Sequence, residues 1–138
     1  MTRSHKTFAT LTAAATLGAG GLAVLGAVPA AQASGGDDYR VIRTGSCSGH
    51  GVWKLKAKAD DGRIEVEFEV DTNRNGQAFG VRLRRDGNLV WSGTRITEAP
   101  SGSFSVERRI SNSAGDDVIV GRAVRGSNVC RGQVTFAR

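Results

Sequence analysis

The fold is decided by residues 53–70, WKLKAKADDGRIEVEFEV. Polar and apolar residues alternate on both sides of Asp61-Gly62, which is a typical turn of a β-hairpin. Closing the turn there places lysines opposite glutamates on one face and apolar residues opposite each other on the other face. The predicted pairs are Lys54–Glu69, Lys56–Glu67, Lys58–Glu65, Trp53–Val70, Leu55–Phe68, Ala57–Val66 and Ala59–Ile64. A slip of one residue would bury lysines, so this register is strongly specified.

The rest of the chain after residue 38 consists of short apolar-rich runs separated by turn residues. The turns are predicted at 71–76, 85–87, 97–102, 111–116 and 126–127. We find no helical periodicity in this part of the sequence. About eight short strands at such spacing are typical of an all-β fold, here an antiparallel sandwich or a partly open barrel.

Two further hairpins have predicted registers. For the first, a three-residue loop at 85–87 would pair Val81 with Trp91 and turn Trp91 inward. The alternative is a two-residue loop, which would expose Trp91 beside Arg82 as a ligand platform. For the last hairpin, a turn at Gly126-Ser127 pairs Ala123 with Cys130, Gly121 with Gly132, Ile119 with Val134 and Arg122 with Arg131.

The first 33 residues have the form of an export signal. Arg3 and Lys6 precede an apolar run, and Ala31-Gln32-Ala33 is a small-x-small cleavage site. Of the 138 residues, 105 then remain, with 17 basic and 13 acidic side chains and a net charge of +4. We predict a secreted product with a disordered lead-in at 34–38, a single domain at 39–138 and no membrane span. The alternative is a signal retained as a membrane anchor.

Cys47 and Cys130 both lie in the predicted mature part, and an even number of cysteines in an exported chain favours a disulfide. The bond would close a loop of 83 residues. The chain-entropy model assigns such a loop about 4.5 kcal/mol. A structural zinc site is disfavoured because His50 alone remains to complete it.

The sequence predicts no catalytic residues and no cofactor. Glu65, Glu67 and Glu69 have the spacing of paired carboxylates, but each has a lysine opposite it, which favours a surface ladder. His50 is the only histidine after residue 33, and no Gly-x-Ser-x-Gly motif accompanies it.

One turn resembles half of a calcium loop. Residues 71–76 read Asp-x-Asn-x-Asn-Gly, so Asp71, Asn73 and Asn75 are weak calcium candidates. The twelfth position is Arg82, where an EF-hand has a glutamate. A polar hairpin turn is therefore the favoured interpretation.

Arginines are the main candidates for binding. Arg122 and Arg131 are opposite each other in the predicted register, and like charges in that position destabilise a sheet unless an anion relieves them. This predicts anion binding at an arginine-bearing face; the alternative is an ordinary solvated surface. The candidates are Arg82, Arg84, Arg108, Arg109, Arg122, Arg125 and Arg131.

The Ala/Gly-rich signal, the run Thr44-Gly45-Ser46-Cys47 and the segment 53–66 resemble small secreted actinomycete proteins of unassigned function. The chain is also loosely similar to immunoglobulin-like sandwiches, although its cysteines lie near the ends of the domain. The first resemblance implies an exported domain with one disulfide and carries over no functional residue.

Two functional hypotheses follow. The first is a secreted, non-catalytic β-sandwich that acts by binding an acidic polymer or an extracellular protein, at the cell envelope for example. The second is an inhibitor of an extracellular protease or other hydrolase, with residues 97–102 as its reactive segment. A panel of secreted proteases separates them, because an inhibitor must form a stoichiometric complex with one of them.

Overall fold

The computed structural model describes residues 38–137, and within them eight antiparallel strands form two four-stranded sheets. The first sheet has the order β1-β2-β3-β6 and the second has the order β5-β4-β7-β8. The described residues contain no helix, and the predicted all-β sandwich is confirmed. The strands are β1 Arg40–Ser46, β2 Val52–Asp60, β3 Arg63–Asp71, β4 Ala78–Arg85, β5 Asn88–Ile96, β6 Ser103–Ser111, β7 Asp117–Arg125 and β8 Asn128–Phe136. The predicted signal and residues 34–37 of the lead-in lie outside the described residues.

The β2–β3 hairpin has the predicted register at every pair from Trp53–Val70 to Ala59–Ile64. Asp61 and Gly62 both have positive φ, 51° and 77°, as a type I′ turn requires. The β7–β8 register is also confirmed, including Ala123 opposite Cys130. In both hairpins the two-fold alternation of apolar residues is sufficient to fix the pairing.

The predicted register of the β4–β5 hairpin is wrong. The turn has two residues, Asp86 and Gly87, with φ of 49° and 81°, and not three. A β-bulge after Leu89 then shifts the pairing, so that Leu83 is opposite Trp91 and Val81 is opposite Gly93. The bulge allows a two-residue type I′ turn and still brings Trp91 to the inner face. The predicted three-residue loop gives only the inward Trp91, and the two-residue alternative without a bulge gives only the type I′ turn.

Glycines give two large rings the room to lie between the sheets. A Cβ on Gly132 would lie 2.5 Å from the Trp53 ring, and a Cβ on Gly45 would lie equally close to it. A Cβ on Gly121 would lie 2.7 Å from the ring of Phe68, which is fully buried. Any larger residue at these three positions would overpack the core.

The two sides of the sandwich are closed differently. On the β1/β8 side, the predicted disulfide joins Cys47 to Cys130, and the Ser48 backbone N–H donates to the carbonyl of Val129 at 2.8 Å. At the other end of the same side, the Tyr39 and Phe136 rings meet edge to face. The first and last strands are therefore joined at both ends.

On the β5/β6 side the gap is filled by Trp91. The guanidinium of Arg95 lies 4.7 Å from the ring centroid of Trp91. That of Arg108, which comes from β6 in the other sheet, lies 4.6 Å from it. Trp91 is therefore partly buried against the core and stacked by cations, and not an exposed ligand platform.

The order of the strands differs from that of an immunoglobulin domain. There the second and third strands, B and C, belong to opposite sheets. Here β2 and β3 form a hairpin within one sheet, and the chain changes sheets between β3 and β4.

Candidate anion-binding face

The two sheets differ in the balance of their charges. The strands of the β5-β4-β7-β8 sheet contain seven arginines and a single carboxylate, Asp117. Asp117 is fully buried. The outward side of this sheet, which we call the basic face, is therefore bordered by no acidic side chain along its four strands. Its central residues are Gly80, Arg82, Arg84, Ser92, Val120, Arg122, Val124 and Arg131.

Three arginines form a row across the basic face. Arg82 is opposite Arg122 on β7, and Arg122 is opposite Arg131 on β8. Neighbouring strands lie roughly 4.8 Å apart, so the bases of these side chains are at about that spacing. All three are exposed. We call this set the arginine row.

The arginine row has no carboxylate partner in the part of the chain that the structure describes. Arg131 Nη2 donates to Gln133 Oε1 at 3.2 Å, whereas Arg82 and Arg122 have neither an ion pair nor a hydrogen bond with any described residue. Like charges directly opposite each other cost stability. An anion bound across the row would remove this cost, which is why the row is a candidate binding site.

The remaining arginine candidates do not all join the row. Arg84 lies on the basic face beside it, and its Nη1 donates to the carbonyl of Gly87 at 3.0 Å. Arg109 is on the other sheet and forms an ion pair with Asp60 at 2.5 Å. Arg108 stacks on Trp91, and Arg125 lies at the exposed end of the β7–β8 hairpin. The structure thus brings Arg82, Arg84, Arg122 and Arg131 together and separates the other three from them.

The first sheet presents a ladder of paired charges instead. Lys54 Nζ lies 3.2 Å from Glu69 and 3.5 Å from Glu67, and Lys56 contacts Glu67 and lies 3.8 Å from Glu65. The hydrogen bond to Glu69 raises the pKa of Lys54. The hydrogen bond from Lys56 lowers the pKa of Glu67. A carboxylate whose pKa is lowered, as that of Glu67 is, is a poor general acid.

The ladder makes stability depend on pH at both extremes. Because the Glu67 pKa is lowered from 4.5 in the folded state, its contribution is present above pH 4.5 and is lost as the pH falls through the folded value. Because the Lys54 pKa is raised from 10.5, its contribution is present below pH 10.5 and is lost as the pH rises through the raised value. The free energy of unfolding, obtained from urea denaturation at a series of pH values, should therefore fall at both acid and alkaline pH. Each fall should be less than about 1 kcal/mol, because these are surface pairs.

A matched pair of variants tests this prediction. Glu67→Gln removes the carboxylate that both lysines contact, so it should flatten the acid side of the profile. Glu107→Gln removes a carboxylate directly opposite Glu67 that forms no ion pair with a described residue, so it should leave the acid-side fall in place. Identical profiles for the two variants would contradict the assignment.

The calcium candidates lie in a tightly bonded turn. The Asp71 carboxylate accepts the backbone N–H of Asn73 at 2.8 Å, and Asn73 has a positive φ of 55°. Asn75 is exposed. The described residues contain no cluster of three or more His, Cys, Asp or Glu side chains suited to a metal ion. Calcium binding here stays an untested prediction.

The predicted inhibitory segment, residues 97–102, is folded back on itself. The carbonyl of Glu98 accepts the backbone N–H groups of both Gly102 and Ser103. This segment is also hydrogen-bonded to the turn at residues 71–76. Thr97 is buried, and its hydroxyl donates to the carbonyl of Arg74 at 2.5 Å. A carbonyl bonded in this way is not free to enter the oxyanion hole of a protease. The inhibitor hypothesis itself stays a prediction.

His50 is exposed next to the disulfide. Its backbone carbonyl accepts the side-chain amide of Asn128 at 2.8 Å, while the amide oxygen of Asn128 accepts the N–H of Gly49. The described contacts of His50 thus hold the loop to β8 through its backbone.

Sequence reasoning did not identify the small residues beside the arginine row. Ser92 is directly opposite Arg82, and Gly80 precedes Arg82 by two positions on the same face. The sequence feature that could have identified them is the presence of small residues at outward-facing positions between arginines. This feature was not recognised because the predicted β4–β5 register placed Ser92 opposite a residue other than Arg82.

Neither a protein-family model nor a curated protein nor a solved structure matches the chain. The disulfide indicates an oxidising, extracellular setting. None of the described residues belongs to a helix long and apolar enough to cross a membrane.

Proposed function

We propose that this protein is a secreted, non-catalytic β-sandwich that binds an anionic polymer through its basic face. The observation that carries the proposal is the arginine row, in which Arg82 and Arg122 lie directly opposite each other without a described carboxylate partner. Arginine guanidinium groups suit this role because they bind sulfate, phosphate and carboxylate groups in bidentate geometry and stay charged at every physiological pH.

The basic face favours an anionic glycan or wall polymer over nucleic acid. Single-stranded nucleic acids bind largely by stacking bases on aromatic side chains. The aromatic residues of these four strands are Phe79, Trp91 and Phe136, and all three are directed to the interior. A four-stranded face is also broader than the helix or two-stranded ribbon that enters the major groove of DNA.

Binding to heparin, a sulfated glycan, tests the proposal. The variant Arg82→Gln/Arg122→Gln should weaken heparin binding about tenfold, because each lost charge-assisted hydrogen bond is worth roughly 1.5 kcal/mol before solvent screening. Fewer counterions are then displaced, so the slope of log Kd against log salt concentration should become shallower by about 1 to 2. Titration calorimetry at several salt concentrations measures both quantities.

The control is Arg40→Gln/Arg43→Gln, which removes the same charge from exposed positions on β1 in the other sheet. It should change the heparin affinity less than about threefold, the part due to net charge alone. Equal losses in the two double variants would show that net charge and not the basic face is responsible. Absence of heparin, polyphosphate and DNA binding in the unaltered protein would refute the proposal.

A further inference from the structure

Two depressions lie side by side on the basic face and share the Arg82–Arg122 pair as a common wall. The arginine depression has a volume of about 340 Å³ and is lined by Arg82, Arg84, Gly87, Val120, Arg122 and Arg131. The neutral trough has a volume of about 430 Å³ and lies on the other side of the pair, where Gly80, Ser92 and Val124 line it. Both volumes are within the range of small-ligand sites.

The arginine depression is suited to one multiply charged anionic group. Four guanidinium groups border it, and none of the four forms an ion pair with a described carboxylate. Val120, half-buried between them, provides an apolar floor that reduces the exposure of a bound group to water. Sulfate and phosphate groups can accept several N–H donors at once, which matches this arrangement.

The neutral trough has different chemistry. Apart from the shared pair, its lining consists of small, aliphatic and hydroxyl-bearing residues. A Cβ on Gly80 would have one neighbour within 4 Å, the carbonyl oxygen of Val124 at 4.0 Å, so the space above Gly80 is open. The Ser92 hydroxyl can bond a ligand hydroxyl, while Val124 offers an aliphatic surface.

We propose that the basic face binds a glycan whose sulfate or phosphate groups are spaced along the chain by sugar rings. The anionic group occupies the arginine depression, and the sugar unit beside it occupies the neutral trough. The polymer then runs along β4 and β7 and crosses the Arg82–Arg122 pair. This inference rests on the proposed function, since it specifies the class of polymer that the same face binds.

The variant Gly80→Leu tests the inference, because it fills the trough without changing any charge. Gly80 is exposed within β4 and has no positive φ, so leucine is sterically tolerated there. Heparin, which has sugar units between its sulfates, should bind the variant about tenfold more weakly, equivalent to about 1.4 kcal/mol. Inorganic polyphosphate has no sugar ring to occupy the trough, and its affinity should change less than twofold. An unchanged far-ultraviolet circular dichroism spectrum and melting temperature would report that the variant is folded.

The control variant is Thr135→Leu, which adds a similar apolar side chain on the same outward side of β8. Thr135 is opposite Val118, several residues away from the trough, and lines neither depression. It should leave both affinities unchanged.

Unchanged heparin binding by Gly80→Leu, or an equal loss for heparin and polyphosphate, would overturn the inference. In either case the proposed function would still stand if Arg82→Gln/Arg122→Gln weakened both probes. If the unaltered protein bound neither heparin nor polyphosphate, the proposed function itself would be refuted.

Discussion

Replacing both Cys47 and Cys130 with alanine should lower the free energy of unfolding by roughly 2–5 kcal/mol. The bond closes a loop of 83 residues, so its loss frees a large part of the unfolded chain. Cys130 is also fully buried at the seam between the two sheets. For a domain of this size the loss is a large fraction of a total stability of about 5–15 kcal/mol. Urea denaturation followed by tryptophan fluorescence measures it.

Reduction of the unaltered protein separates the two contributions. Reduced protein keeps both sulfur atoms in the core and loses only the covalent link, so its urea midpoint should lie between those of the oxidised protein and the alanine variant. Equal midpoints for the oxidised and reduced forms would show that the loop closed by the bond does not contribute to stability.

Asp117→Ala should destabilise the protein by about 2–3 kcal/mol, because a fully buried, hydrogen-bonded carboxylate and its ion pair with the partly buried Arg85 are both lost. The Asp117 carboxylate is fully buried, accepts the Ser113 hydroxyl at 2.6 Å, and lies 3.6 Å from Nε of Arg85. Alanine would leave the guanidinium of Arg85, which is only 26% exposed, without this partner. The melting temperature should fall by about 4–8 °C for each kcal/mol lost.

The neighbouring residue provides the control. Asp116→Ala removes the same charge from an exposed position in the same loop, so it should change stability by less than about 0.5 kcal/mol. Comparable losses in the two variants would contradict a role for the buried contacts of Asp117.

Asp117 also supports the basic face. Asp117 is the first residue of β7 and forms an ion pair with Arg85 at the end of β4. Beside it, the Asp86 carboxylate accepts the backbone N–H of Val118 at 2.9 Å. These contacts join β4 to β7 at one end, and that pairing is what brings Arg82 opposite Arg122.

The sequence by itself determined the features that depend on neighbouring strands joined by a short turn. Alternating residues around Asp61-Gly62 specify one register, because any slip buries lysines. The same reasoning fixed Cys130 beside Ala123 and placed Arg131 opposite Arg122. The disulfide followed from the number of cysteines in a chain with an export signal.

Only the tertiary structure decided the β4–β5 register and the composition of the basic face. Trp91 is positioned by Arg108 from the opposite sheet, a contact between distant strands that no local pattern encodes. The bulge that turns Trp91 inward also places Ser92 beside Arg82. Arg82 meets Arg122 only because β4 pairs with β7, although the two residues are 40 positions apart in the sequence. Pairing between strands so far apart depends on how the two sheets share a core, which is a property of the whole packed domain.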